Sequence, residues 1–491
     1  MAATSFDFVI VGGGLAGLVL AARLSENSDV EVLVVEAGDD QTADPRVNIP
    51  AMWPTLIRTK TAWNFNNIPQ EGLQNREIGF PQEKILGGSS ALNGLAFSAT
   101  SKVNVDAWES LGNPGLVRIH APEDEGEWPT VWEKTLEALG YPSTGNPFEG
   151  QFSGSTVVPD SVQPATKQRI WTKAEVEKIL FDPSADIIAT GVQLIKDGET
   201  QIVKARKEVI LTAGTINSPR LLELSGIGSA ELLKSLGIDV VIDNSHIGEN
   251  LQNHPMCTLS FEVKDQKGFD TIDKLARQDG AAIAGAMEAY SKQKGPFSES
   301  GANLVAQLPT PKVETGADTS ELAQFLQSKA PEARQELTSF QEHHKSFVRS
   351  VLLSSTEASA CYIAIPGFAG LTGDGWIAPT PPEDEKYFTI SLLLAHPLSR
   401  GSVHLKQLPS GSKALVIDPK YLNHPLDVEV MARHLQLVEK IASSEPLAAH
   451  LKLDGTRNPS APPYGSLANL DAAKDYLHKT LALTTSLERA P

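Results

Sequence analysis

Residues 6–11, Phe-Asp-Phe-Val-Ile-Val, form a nearly unbroken apolar run of strand length. A continuous run, rather than an alternating one, fits a parallel strand buried on both faces. Gly12-Gly13-Gly14 breaks it, and Leu15–Leu24 then reads as an Ala/Leu/Gly-rich helix. Val30–Val35 is a second buried strand, ending at Glu36. Together these segments predict one βαβ unit. Residues 40–85 are rich in Pro, Asn and Gln and read as irregular covering structure, and Gly87–Gly94 is a second glycine-rich turn. Between Ala107 and Gly154 the pattern is mixed. Ala174–Phe181 and Gly191–Lys196 pair as strands, followed by Lys207–Ala213 and another glycine turn. Residues 270–350 are helical in pattern, notably Glu321–Phe325 and Pro331–Val348, whereas 351–406 carries β-type runs such as Tyr387–Ala395.

This order predicts an α/β protein: a Rossmann-type nucleotide-binding half assembled from discontinuous segments, and a second α+β half that covers it. No internal repeat and no linker between separable domains stands out.

The 491 residues include 41% hydrophobic and 21% charged positions, enough apolar material for an ordinary globular core. A net charge of −18, with no long Lys/Arg run, argues against nucleic acid and against anionic membrane surfaces. A small neutral substrate is the expectation. Phe6–Leu24 is apolar apart from Asp7, Arg23 and its glycines, yet no basic segment precedes it and no small-residue cleavage site closes it. No membrane span is therefore expected. Two cysteines, Cys257 and Cys361, suit a reducing compartment, and a cytoplasmic location is expected.

Gly12-x-Gly14-x-x-Gly17 follows a strand and opens a helix, with Glu36 nineteen positions after the last glycine. Gly12 permits the tight turn, Gly14 lets the backbone approach a pyrophosphate, and Gly17 lets helix and strand pack closely. The pyrophosphate would sit at the helix N-terminus, where free N–H groups favour negative charge. Glu36 can accept ribose hydroxyls. This pattern points to a dinucleotide but does not separate NAD from FAD. In Gly87-Gly-Ser89-Ser90-Ala-Leu-Asn93-Gly94, two hydroxyls can donate to phosphate and Asn93 offers an amide to a polar ring edge. A plain surface loop is equally compatible. In Gly214–Gly228 a turn precedes a short helix from Ser218/Pro219 to a glycine C-cap at Gly226, an arrangement that is structural when taken alone.

In order and wording, the phrases resemble the glucose–methanol–choline (GMC) oxidoreductases. The likeness is carried by Asp7–Gly17, Lys84–Gly94, Gly214–Gly228, Ile247–Pro255, His396–Val403 and Ile417–Leu422. It is strongest in 6–110 and 170–256, which the resemblance makes the FAD-binding part; 111–169 and 257–491 become the substrate-binding, covering part. It implies FAD, with pyrophosphate contacts at Leu15 and Ala16 and ribose contact at Glu36 beside Ala37. It further implies flavin contacts at Ser89, Asn93 and Gly94, adenine against the backbone of Val176, and Trp63 near the cofactor. The activity implied is oxidation of an alcohol to a carbonyl by hydride transfer to flavin, in specialised metabolism.

Relatives use a histidine near the C-terminus as the base, after a Leu/Thr/Ser-rich stretch like Leu481–Ser486. Here Leu487–Pro491 follows and the sequence stops, so the expected base lies beyond Ser486 and the chain reads as C-terminally truncated. His478, upstream, reads as an ordinary surface histidine. Adjacent His343 and His344 cannot share a helix face, and no metal spacing is evident. This departure keeps open a non-redox cyclase or dehydratase, or a catalytically dead flavin-binding homologue, beside the oxidoreductase.

Overall fold

The computed structural model describes residues 4–91, 127–141, 154–157, 169–182, 187–299, 301, 304–311, 339–371, 377–378, 380–381 and 384–483.

The amino-terminal run becomes β1 (Thr4–Val11), followed by α1 (Leu15–Leu24) and β2 (Val32–Val35). Every residue of β2 is buried, as a doubly covered parallel strand requires. The six-stranded sheet continues with β3 (Arg169–Trp171), β4 (Ala174–Phe181), β5 (Ala189–Lys196) and β6 (Glu199–Leu211), in the order β3-β2-β1-β6-β5-β4. β3, β2, β1 and β6 run parallel, while β4, β5 and β6 form an antiparallel meander. The 13-residue β6 serves both parts: residues 199–204 pair with β5 and residues 203–211 with β1.

β6 leads into α2 (Gly214–Leu224). The sequence reading started this helix at Ser218/Pro219. It begins earlier, with Pro219 in its interior, because the proline lacks only one donor and the turn at Gly214 already sets the helical path. At the end of α2, buried Glu223 accepts from His404 Nδ1 at 2.7 Å and from the Leu405 amide at 2.8 Å. These bonds tie the nucleotide-type half to a three-stranded antiparallel sheet in which Glu249–Leu251 (β7) pairs with Gly401–Gln407, and that strand with Lys413–Asp418.

The covering half is a seven-stranded antiparallel sheet. Its main strands are β8 (Pro255–Val263), β9 (Leu304–Leu308), β10 (Ala360–Ile365) and β11 (Tyr387–Leu394). β12 (Gly401–Gln407) and β13 (Lys413–Asp418) complete the small sheet. β14 (Leu451–Arg457) and the pair Ala482–Leu483 flank β8, and Gly154–Val157 flanks β9. α3 (Ser339–Leu353), α4 (Pro425–Ala442) and α5 (Leu470–Thr480) complete the layer. α4 packs on β11 and buries Met431, Leu435 and Val438, each worth about 1.5–3 kcal/mol relative to exposure. Inside this core Tyr362 Oη and Ser359 Oγ meet the two ring nitrogens of fully buried His434 at 2.6 and 2.8 Å.

Cys257 faces Leu392 across β11 and Cys361 faces Leu393. Successive residues of a strand point to opposite faces, so the thiols lie two strands apart, roughly 9–10 Å, on opposite faces. That is beyond disulfide reach. Burial pushes both thiols up to about 12. Among the described residues no helix is long and apolar enough to cross a membrane.

Candidate active site

Three glycine turns meet at the carboxyl ends of the parallel strands. Gly12 has φ +108°, and a Cβ placed on Gly17 would lie 2.1 Å from its carbonyl oxygen, so strand end and helix start touch backbone to backbone. Gly14 caps α1 with no side chain bonded to the helix amides. The first N–H groups of α1, from Leu15 onward, therefore remain available to an acceptor. Among the described residues a Cβ on Gly14 would meet no atom nearer than Gly88 Cα at 3.9 Å. Nothing among the described residues requires glycine there; a ligand pressed against the backbone would.

The second turn docks on the first. Gly14 bridges Gly87, the Gly87 amide donates to Gly13 at 2.9 Å, and a Cβ on Gly88 would fall 2.8 Å from Gly14 Cα. The third turn closes the floor, with the Thr212 hydroxyl 3.0 Å from the Gly12 carbonyl and Gly214, Asn217 and Arg220 on the wall. Between them runs a groove of about 1040 Å³, part of it open to solvent.

Sequence reasoning placed Gly12, Gly14, Leu15, Ala16, Glu36, Ala37, Trp63, Ser89 and Val176 at one site, and all of them line this groove; Gly17 lies buried behind it. Asn93 and Gly94 lie outside the described residues. Glu36 is 7% exposed, and its two oxygens accept from the Gly13 and Gly38 amides at 2.7 Å each. Burial raises its pKa against the pull of those amides. Each oxygen keeps a free lone pair, so ribose hydroxyls can still be accepted. Trp63 stacks on Phe65 with centroids 5.9 Å apart, and Lys84 Nζ lies 3.9 Å above its indole. Lys84 also pairs with Glu175 at 3.2 Å, and Arg220 approaches Glu175 at 3.6 Å.

The Ser89 hydroxyl donates to Glu83 Oε2 at 2.6 Å and that of Ser90 to the Gly87 carbonyl at 2.7 Å. Some expectations need correction. His478 is half-buried rather than a surface residue, its Nδ1–H donating to the Gly72 carbonyl at 2.6 Å. Helix periodicity did not show that α5 lies against the 71–76 turn. The Gly214–Gly228 motif, structural when read alone, contributes Gly214, Asn217 and Arg220 to the groove. Glu83, Glu175 and Arg220 were missed as site residues; the one available signal for Glu83 was an acidic residue four positions before a glycine-rich turn.

Elsewhere, Arg400 donates to the Pro397 and Ser399 carbonyls at 2.6 and 2.9 Å and to His344 Nε2 at 2.8 Å. Burial, then the neighbouring Arg400, push His344 down to about 4, so it accepts as neutral imidazole. Among the described residues no group of three or more His, Cys, Asp or Glu is placed to hold a metal.

Residues 131–256 match the family model described as GMC oxidoreductase, and residues 10–43 that of an NAD(P)-binding Rossmann-like domain. The chain is 30% identical over 544 aligned positions to dehydrogenase mpl7 of Monascus purpureus, covering 96% of this chain and 86% of that protein. It is 30% identical over 531 positions to a dehydrogenase of Armillaria gallica, covering 94% and 80%. Among solved structures, formate oxidase of Aspergillus oryzae superposes with a TM-score of 0.79 at 21% identity, over 99% of this chain and 88% of that one. A fungal aryl-alcohol oxidase superposes at 0.77 and 21% identity, over 98% and 89%.

Proposed function

The chain belongs to the GMC oxidoreductase family, and from that premise we propose that it is an FAD-dependent oxidoreductase that converts a small alcohol of specialised metabolism to a carbonyl. The observation that carries this reading is the groove itself. Its floor is an uncapped helix start, its far end is the Glu36 carboxylate, and Gly14 leaves open backbone against which a ligand can press. Bound there, the flavin would accept the hydride that the alcohol carbon releases.

The protein's own part is positioning. The amides of Leu15 and Ala16, behind Gly12 and Gly14, hold the diphosphate at the positive end of α1, and Gly17 keeps that end against the strand. Glu36, fixed by the Gly13 and Gly38 amides, holds the ribose beside Ala37. Val176 presents backbone to the adenine from β4, and Trp63 closes that side under Lys84. Ser89, with Asn93 and Gly94 beyond it, faces the flavin end. We assign 1–110 and 170–256 to nucleotide binding, and 111–169 and 257–491 to substrate binding.

The purified full chain is expected to be yellow and, without oxygen, to bleach on adding its alcohol. Colourless folded protein that takes up no FAD in a titration overturns the cofactor assignment. Turnover with an unchanged flavin spectrum overturns the redox step alone.

A further inference from the structure

Glu83 is a carboxyl on the wall of the nucleotide groove that the positioning above does not use. It sits where residues 61–63 run antiparallel to 82–84, with Ala62 bridged to Glu83 and the Trp63 amide donating to Gln82 at 2.6 Å. Its Oε2 accepts the Ser89 hydroxyl at 2.6 Å, and Ser89 follows Gly88, whose backbone abuts Gly14 at the start of α1. Glu83 is thus held one hydroxyl away from the turn assigned to the diphosphate.

The charged groups around it are otherwise engaged. Glu36 at the end of β2 is tied to two amides. Lys84 and Arg220 are both directed to Glu175 on β4, at 3.2 and 3.6 Å. Among the described residues Glu83 makes no ion pair, and its surroundings raise its pKa, burial being the largest cause and the Ser89 bond opposing it. A diphosphate entering the groove adds like charge beside this half-buried carboxyl, which disfavours its ionised form further.

We propose that Glu83 is a proton-linked positioning residue: its carboxylate oxygen takes one proton from solvent as the FAD diphosphate enters beside it, while Ser89 keeps the carboxyl in place. No other bond is made or broken. The proposal rests on the reading of the groove as the FAD site. Glu83 then sets the pH range over which the protein retains its cofactor, without touching the reacting carbon.

The test is calorimetric titration of the full chain, freed of flavin, with FAD between pH 6 and 9, in buffers of different ionisation enthalpy. On the alkaline side, uptake approaching one proton per FAD is expected, and Kd should weaken towards tenfold per pH unit, the limit for one linked proton. Riboflavin, which lacks the diphosphate, should bind without uptake. Glu83→Gln, which cannot ionise, should abolish the uptake and bind FAD about tenfold more tightly than the parent at pH 9. If that variant does not fold, Ser89→Ala serves instead. It removes the bond that favours the charged form and should move the uptake to higher pH. FAD binding by the parent without proton uptake, or equal uptake in Glu83→Gln or with riboflavin, overturns the proposal and leaves the cofactor assignment standing. Failure to bind FAD at any pH overturns both.

Discussion

His404 stands between two carboxylates, with Nδ1 2.7 Å from Glu223 and Nε2 3.1 Å from Glu249. Its pKa is raised above the ordinary value, the hydrogen bond to Glu223 being the largest cause. The pair with buried Glu223 therefore contributes fully below the unfolded histidine's pKa of about 6.5 and is lost as pH rises through the higher folded value. The Glu249 partner is exposed and adds little. Replacing His404 with Gln should cost about 3 kcal/mol at pH 6, as breaking a buried pair does, and clearly less at pH 9. Urea unfolding at both pH values measures this, and an equal loss at each would contradict the pairing. His434 does the opposite. Burial lowers its pKa to about 3, so the fold keeps it neutral while the unfolded chain takes a proton near 6.5. Its depressed value makes stability fall as pH drops from about 6.5 towards 3. His434→Gln should flatten that acid limb in pH-dependent thermal melts, whatever it costs in packing. Neither setting was legible in the sequence, because Glu223, Glu249 and Tyr362 reach these rings from 72 to 181 positions away.

The elements that were read most closely are those whose signal is local. Leu15–Leu24 was read as a helix to the residue because glycines stop it on one side and its apolar spacing sets its length. Gly12, Gly14 and Gly17 were legible for the same reason, as was the pair β4 and β5, whereas β6 was read only from Lys207 and its pairing over 199–204 was not seen. The start of α2 was misplaced because proline is a strong local mark and the preceding turn is a weak one. Gly17→Ala tests the first group directly. Its methyl would lie 2.1 Å from the Gly12 carbonyl, so α1 must shift, and the variant should lose FAD before it loses its fold. Flavin stoichiometry alongside circular dichroism separates the two. α4 depends on a contact that no local pattern marks: Asp427 in its first turn accepts from the Leu398 and Ser399 amides, each at 2.8 Å. Asp427→Ala leaves both donors unsatisfied and should cost about 3 kcal/mol, read as a fall in the urea midpoint with unchanged slope.

At the scale of the whole molecule, distant segments of the chain meet in one groove. The groove draws on β1, α1, β2, β4, α2 and the segment 63–89, which brings together residues more than 200 positions apart. The glycine motif and the family likeness marked part of its lining in the sequence, but not Glu83, Glu175, Asn217 or Arg220. The Glu83–Ser89 bond, the Lys84–Glu175–Arg220 cluster and the burial of Asn217 arise only when these segments meet. A ligand held by so many segments stabilises all of them at once. FAD at a hundredfold excess over its Kd should add about 2.7 kcal/mol to global stability and raise Tm in proportion. Thermal scans with and without added FAD check this, and an unmoved Tm would mean that the groove does not take the nucleotide.

β6 gives that coupling a kinetic form. A single uninterrupted backbone of thirteen residues is at once the last rung of the meander and the inner rail of the parallel sheet. β4 and the turn between β1 and α1, which we propose to hold the adenine and the diphosphate, therefore belong to one foldon. In hydrogen–deuterium exchange, amides of Val176 and its neighbours should open at the same rate as those of Val9 and Ile10.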